Sequence, residues 1–141
     1  MAQPHEQPPV RILLVEDNPA DVRMIREALA VSRIPHELHV AEDGEQALEH
    51  VRRAGTPLPD LMLVDLNVPR VHGHDVISQI RADASIRRFP IVVLTGSKLE
   101  KDIERSFALQ ADEHIVKPAR LFEYVGELAF AIGLARRQPA A

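Results

Sequence analysis

The sequence predicts a doubly wound α/β domain: a parallel sheet of five strands with helices on both faces. Three observations point there. Short apolar runs alternate with amphipathic stretches along the chain, a pattern that belongs to parallel sheets with crossover helices. Several of those runs contain no polar residue, so both faces of the strands are buried, as in a sheet sandwiched between helices. At 141 residues, with 45% hydrophobic and 27% charged, the chain makes one domain with a core of its own.

The elements follow in order. Val10–Val15 is a strand rich in branched residues. Asn18-Pro19-Ala20-Asp21 starts a helix: Asn18 can cap it, Pro19 suits the first helical position, and Asp21 favours the positive end of the helix dipole. Val22, Ile25 and Leu29 fall on one face of that helix. A weaker strand sits near Glu37–Val40, and a helix from about Glu45 to Arg53 stops at Gly55. Leu61–Val64 and Ile91–Leu94 are uninterrupted apolar runs, and Ile115-Val116 is a shorter one before Lys117-Pro118. Helical stretches lie near Asp75–Ala82, Leu99–Gln110 and Ala119–Leu134.

The bulk properties exclude several classes. With no cysteine, a disulfide framework and a thiolate zinc site are both ruled out. The start MAQPHEQPPV lacks the apolar stretch of a secretory signal, and no window is long enough to span a membrane. A net charge of −4, with no basic run longer than pairs such as Arg136-Arg137, argues against a nucleic-acid partner. The expectation is a cytoplasmic domain over residues 10–134, with a flexible lead-in (1–9, three prolines) and a flexible tail (135–141).

In an open parallel sheet, functional groups gather outside the carboxyl ends of the strands. The polar residues just after the apolar runs are Glu16-Asp17, Asp65, Thr95 and Lys117. Four strands thus deliver three carboxylates, a hydroxyl and an ammonium to one edge. Two carboxylates about 4 Å apart repel by roughly 4 kcal/mol at an effective dielectric near 20, so three of them need compensation. Hard oxygen ligands of this kind suit Mg²⁺. A carboxylate beside a metal and a lysine can attack phosphorus, with Thr95 and Lys117 placed to satisfy the phosphoryl oxygens.

These residues stand in motifs. VEDN (Val15–Asn18), VDLNVPRVHG (Val64–Gly73), LTGS (Leu94–Ser97) and VKP (Val116–Pro118) resemble those of response-regulator receiver domains, and the likeness runs from about Val10 to Leu134. Thr95 follows Asp65 by 30 residues and Lys117 follows Thr95 by 22, the intervals of that family. The resemblance implies a flavodoxin-like strand order 2-1-3-4-5. It also implies that Asp65 accepts phosphate from a histidine kinase, and that Asp17, Asp65 and the Asn67 carbonyl bind Mg²⁺, with Glu16 acting through metal-bound water. Thr95 would move toward the phosphoryl group, Lys117 would stabilise its charge, and Pro118 would follow a cis peptide bond. The only chemistry is then on the chain's own Asp65, so it is not an enzyme acting on a separate substrate. Within the family, the Asn-Pro-Ala-Asp start and the DLN-x-P spelling most resemble single-domain regulators paired with phytochrome-type kinases. On that reading the chain is a stand-alone regulator whose output passes through a downstream protein, with helix 99–110 and the neighbouring strand as its readout surface.

Two positions depart from the family pattern. His114 stands where receivers usually carry Tyr or Phe, replacing the switch aromatic with a smaller, polar and titratable ring. Gln110 stands where glycine is common. His72-x-His74 has the look of a metal pair but lacks a third partner at suitable spacing, and is expected in a loop. On the last helix, Leu121, Tyr124, Val125, Leu128 and Ile132 share the face toward the sheet. Phe130 and Leu134, with Phe122, point to a homodimer surface. Two rival functions remain: a receiver-like interaction module that is not phosphorylated in use, and an aspartate-nucleophile phosphatase. The phosphatase would need an acid two residues after Asp65, where the chain has Asn67.

Overall fold

The structure is a computed structural model that describes residues 8–96 and 100–137, with side chains in the fourth helix described from Glu104 onward. Ser97 of the LTGS motif, Leu99 at the expected start of the fourth helix, most of the lead-in and the end of the tail lie outside the described residues. Strands and helices alternate as β1 (Val10–Val15), α1 (Pro19–Ser32), β2 (His36–Ala41), α2 (Gly44–Arg52), β3 (Leu61–Asp65), α3 (Gly73–Ala82), β4 (Ile91–Thr95), α4 (Glu100–Ala108), β5 (Glu113–Val116) and α5 (Leu121–Arg137). The five strands form one parallel sheet in the order β2-β1-β3-β4-β5.

Because successive side chains of a strand point to opposite faces, each apolar run splits between two cores. On one side, Leu13, Val15, Met62, Val64, Ile91 and Val93 pack with Ala47, Leu48 and Val51 of α2 and Val76, Ile77 and Ile80 of α3. On the other side, Ile12, Leu14, Leu61, Leu63, Val92, Leu94 and Ile115 meet Ile25, Ala28 and Leu29 of α1 and Tyr124, Leu128, Ala131 and Ile132 of α5. Burying each large apolar side chain contributes roughly 1.5–3 kcal/mol, so the two layers together hold the sheet.

Local signals set most element ends. Asn18 caps α1, its side-chain oxygen accepting from Ala20 N at 2.9 Å, with Pro19 in the first helical position. Asp43 caps α2 by accepting from Gln46 N at 2.8 Å. The fourth helix ends at Ala108 and Gln110 takes φ 73°, the left-handed backbone for which glycine is the usual residue. The turn before β5 therefore keeps its glycine-like geometry without the glycine. Helix α5 runs on to Arg137, into the segment expected to be a loose tail. No helix among the described residues is long and apolar enough to cross a membrane.

At the end of the sheet opposite the strand carboxyl termini, Arg81 of α3 ties three segments together. Its guanidinium donates to the Phe89 carbonyl at 2.8 Å, the Gln110 carbonyl at 3.0 Å and the Asp112 carboxylate at 2.8 Å. Asp112 also accepts from Arg88 and from Ile91 N at the start of β4. With its side chain only 7% exposed, Arg81 forms a partly desolvated pair whose loss leaves Asp112 and two carbonyls short of partners. Arg81→Ala should lower the unfolding free energy by about 3 kcal/mol in urea titrations. Arg81→Lys should recover only part of it, because a single ammonium cannot reproduce the three-way fork.

Candidate functional site

The strand alternation also sorts the polar residues at the carboxyl edge. Glu16 continues the parity of Ile12 and Leu14, Asp65 that of Leu61 and Leu63, and Lys117 that of Ile115. All three therefore emerge on the α1/α5 side of the sheet. Thr95 continues the parity of Ile91 and Val93, and His114 is out of phase with Ile115, so these two belong to the opposite side, where α4 lies. In register, Leu94 lies beside Asp65 and Val116 beside Thr95.

At the centre stands the Lys117 ammonium. It lies 2.8 Å from Glu16 Oε2, 2.8 Å from Asp21 Oδ2 and 2.9 Å from Asp65 Oδ2. Lys117 N donates to the Thr95 carbonyl at 2.8 Å, which carries the ladder to the residue that supplies the ammonium. Asp65 Oδ1 accepts from Asn67 N at 2.9 Å, and Glu16 Oε1 from Asn18 N at 3.2 Å. Glu16, Asp65 and Thr95 are buried, whereas Asp17 and Asn67 are exposed. Glu16, Asp17 and Asp65 can each offer a carboxylate oxygen within 4.8 Å of the others, the one such group among the described residues. Three hard oxygen donors with more negative charge than Lys117 can offset match the preferences of Mg²⁺.

Close packing fixes the segment after Asp65. A Cβ built on Gly73 would fall 2.6 Å from Leu66 Cα and 2.9 Å from the Asp65 carbonyl, and one on Gly44 would fall 2.1 Å from the Val71 carbonyl. Only glycine permits both approaches, so the loop from Leu66 to Val71 is wedged between the first turns of α2 and α3. Arg70, at φ 68°, adds ion pairs to Asp43 and Glu45 of α2 at 3.3 and 3.2 Å.

The electrostatics follow from crowding. Burial raises the Glu16 carboxyl to about 7; the hydrogen bond from Lys117 pulls it back and neighbouring Asp65 pushes it further up. Burial alone would lower the Lys117 ammonium, but hydrogen bonds to Asp21, Glu16 and Asp65 override it and hold Lys117 above the usual lysine range. Behind them, burial pushes the Tyr124 phenol up to about 12.

Some expectations are corrected here. The peptide bonds of the described residues, Lys117–Pro118 included, are all trans, not cis. Trans is the preferred X–Pro form by roughly 0.5–1 kcal/mol, and the ammonium reaches the acids with the bond trans. Of the two histidines expected in a loop, His72 stands just ahead of α3 as its N-cap, accepting from His74 N at 3.1 Å, whereas His74 lies in the helix, buried with Nε2 3.1 Å from Ser106 Oγ of α4. Leu134 is partly buried against the α1/α5 core, whereas the other two expected α5 surface residues, Phe122 (86% exposed) and Phe130 (47%), stand out to solvent. Asp21 was legible as a helix-entry charge but not as a partner of Lys117. Its position in the first turn of α1, just past the acidic pair, was the available signal.

The sheet order, the glycine-wedged loop after Asp65 and the shared ammonium are the features of a receiver domain. A family model described as the response regulator receiver domain matches residues 12–127. Response regulator Rcp1 of Synechocystis sp. is 39% identical over 118 residues, covering 81% of this chain and 80% of its own. The crystal structure of the phosphorylated cyanobacterial phytochrome response regulator RcpA aligns with TM-score 0.80 at 39% identity, over 88% of this chain and 94% of that one. The Mn²⁺-bound form of response regulator Rcp1 aligns with TM-score 0.82 at 34% identity, over 94% and 100%. The chain belongs to the response regulator receiver family.

With Glu16 lifted above its ordinary value of 4.5, the folded chain holds a proton that the unfolded chain has released between pH 4.5 and about 7, so stability falls as pH rises through that window. In metal-free buffer the parent should lose roughly 1–3 kcal/mol relative to Glu16→Gln between about pH 5 and pH 8. Urea unfolding of both proteins at the two pH values checks this, and parallel pH profiles would refute it.

Proposed function

We propose that the chain is a phosphorylation switch that accepts a phosphoryl group on Asp65 from a phosphohistidine of a histidine kinase. The observation that carries this reading is the Asp65 carboxylate, held by Asn67 N–H on one oxygen and the Lys117 ammonium on the other at the acidic edge. Glu16, Asp17, Asp65 and the Asn67 carbonyl would hold Mg²⁺. When bound, the cation neutralises charge that otherwise repels an anionic donor. An Asp65 oxygen attacks phosphorus: the new P–O bond forms as the donor's P–N bond breaks, and the freed imidazole takes a proton. Lys117 pairs with one phosphoryl oxygen, and the Thr95 hydroxyl donates to another.

The new charge, about −1.5 to −2, then sits between the two faces of the sheet. Thr95 and His114 carry its effect toward α4, the readout surface for a downstream protein. His114 replaces an aromatic with a smaller ring, so the response on this side depends more on the Thr95 hydrogen bond than on ring packing. The likeness to Rcp1 and to the phytochrome response regulator RcpA supports a phytochrome-type kinase as the donor, and a cytoplasmic location follows from that pairing. The receiver's own reaction is confined to capture and hydrolysis of its phosphoryl group. The reading includes a homodimer through α5, supported by the exposed Phe122 and Phe130.

Intact-mass spectrometry after incubation with acetyl phosphate and Mg²⁺ tests the acceptor. The parent should gain one phosphoryl group, and Asp65→Asn or a chelated sample none; an adduct that persists in Asp65→Asn would remove Asp65 from the role. Sedimentation velocity tests the dimer. The parent should sediment as a dimer at high micromolar concentration and the Phe122→Ser/Phe130→Ser double variant as a monomer, while a monomeric parent in both phosphorylation states would end that part of the reading.

A further inference from the structure

The first turn of α1 supplies a carboxylate to the site that lies outside the metal-binding group. Asp21 Oδ2 sits 2.8 Å from Lys117 Nζ, as close as Glu16 and closer than Asp65, yet it does not belong to the cluster of Glu16, Asp17 and Asp65. An ammonium has three N–H donors, and the three carboxylate oxygens around Lys117 match that number. A phosphoryl oxygen that pairs with Lys117 must therefore displace one of them. Glu16 and Asp65 lose their need of Lys117 when a cation compensates them. Asp21 keeps its need, because Lys117 is its one ion-pair partner among the described residues. Tyr124 of α5, close enough to feel the charges of Lys117 and Asp21, is fully buried, with a hydroxyl that has no hydrogen-bond partner among the described residues.

We infer that Asp21 is a positioning residue for Lys117, drawing the ammonium away from the Glu16–Asp65 pair so that a cation can enter, and then competing with the phosphoryl oxygens for it. This rests on the reading of Asp65 as phosphoacceptor. Two consequences of opposite sign follow. Neutralising Asp21 leaves Lys117 to lean on Glu16 and Asp65 and removes a nearby negative charge, so cation binding weakens. The same change frees Lys117 for an anionic phosphoryl group and removes a repulsion, so binding of that group tightens. General damage to the site would weaken both.

The experiment is calorimetric titration of the full chain with Mg²⁺, then with beryllofluoride, a phosphoryl stand-in, at saturating Mg²⁺. It compares the parent with Asp21→Asn, Asp21→Ala and Asp21→Glu. In the two neutral variants Mg²⁺ affinity should fall about fivefold and beryllofluoride affinity should rise about fivefold, each corresponding to ~1 kcal/mol, the scale of a partly exposed ion pair. Asp21→Glu, which keeps the charge, should return both toward the parent. Unchanged affinities, or a loss of both, in the neutral variants would overturn the role of Asp21 while leaving Asp65 as acceptor. A parent that binds Mg²⁺ but no beryllofluoride would overturn the acceptor reading and this inference with it.

Discussion

The structure turns on one unfavourable fact: four carboxylates, from Glu16, Asp17, Asp21 and Asp65, are gathered around one ammonium. Left alone they would push the carboxyl edge of the sheet apart, since each close pair of like charges costs several kcal/mol in a partly dry environment. Lys117 can touch three of them only because β5 runs in register with β4, so that Lys117 N pairs with the Thr95 carbonyl and the side chain emerges on the α1/α5 side. Glu16 relieves the remaining excess by holding its proton up to near neutral pH. The charge deficit is a standing demand for a cation, built from strand order and strand parity.

The period of two along each strand does a second job. It separates the ionic chemistry, on the α1/α5 side, from Thr95 and His114, on the α4 side. On the proposed function, a phosphoryl group on Asp65 would lie at the seam, where one sheet edge offers an ammonium from one layer and a hydroxyl from the other. Capture of that charge and its mechanical consequence would then occupy different cores, coupled through β4 and β5. Within a packed interior such coupling goes by discrete rearrangement, because close-packed side chains leave no room for gradual adjustment.

The fold was largely legible because its signals are local and repeated. Four apolar runs in alternation with helix patterns set the sheet, and Asn18-Pro19 marked the start of α1 to the residue. Asp65, Glu16, Asp17 and Lys117 could be paired in advance, since strand ends in a parallel sheet share an edge. What stayed hidden needed three dimensions. The reach of Asp21 to Lys117 depends on how α1 lies against the sheet, and the burial of His74 against Ser106 depends on the packing of α3 and α4. The partial burial of Leu134 was not foreseen because a helical wheel assigns sides without knowing how α5 lies against α1 and the sheet.

The clamp around Arg81 has a mechanical meaning for α4, the helix proposed as the readout surface. It grips the Gln110 carbonyl just past the end of α4, and Ala111 N donates back to the Ser106 carbonyl, so the C-terminal end of that helix is tied to α3 and to the start of β4. With one end moored, α4 cannot slide along the sheet. On the proposed function, a rearrangement that begins at Thr95 would swing it, with the greatest travel at the end away from the clamp. A partner that grips α4 would then sense an angle, a quantity that a rigid moored rod transmits over its whole length with little loss.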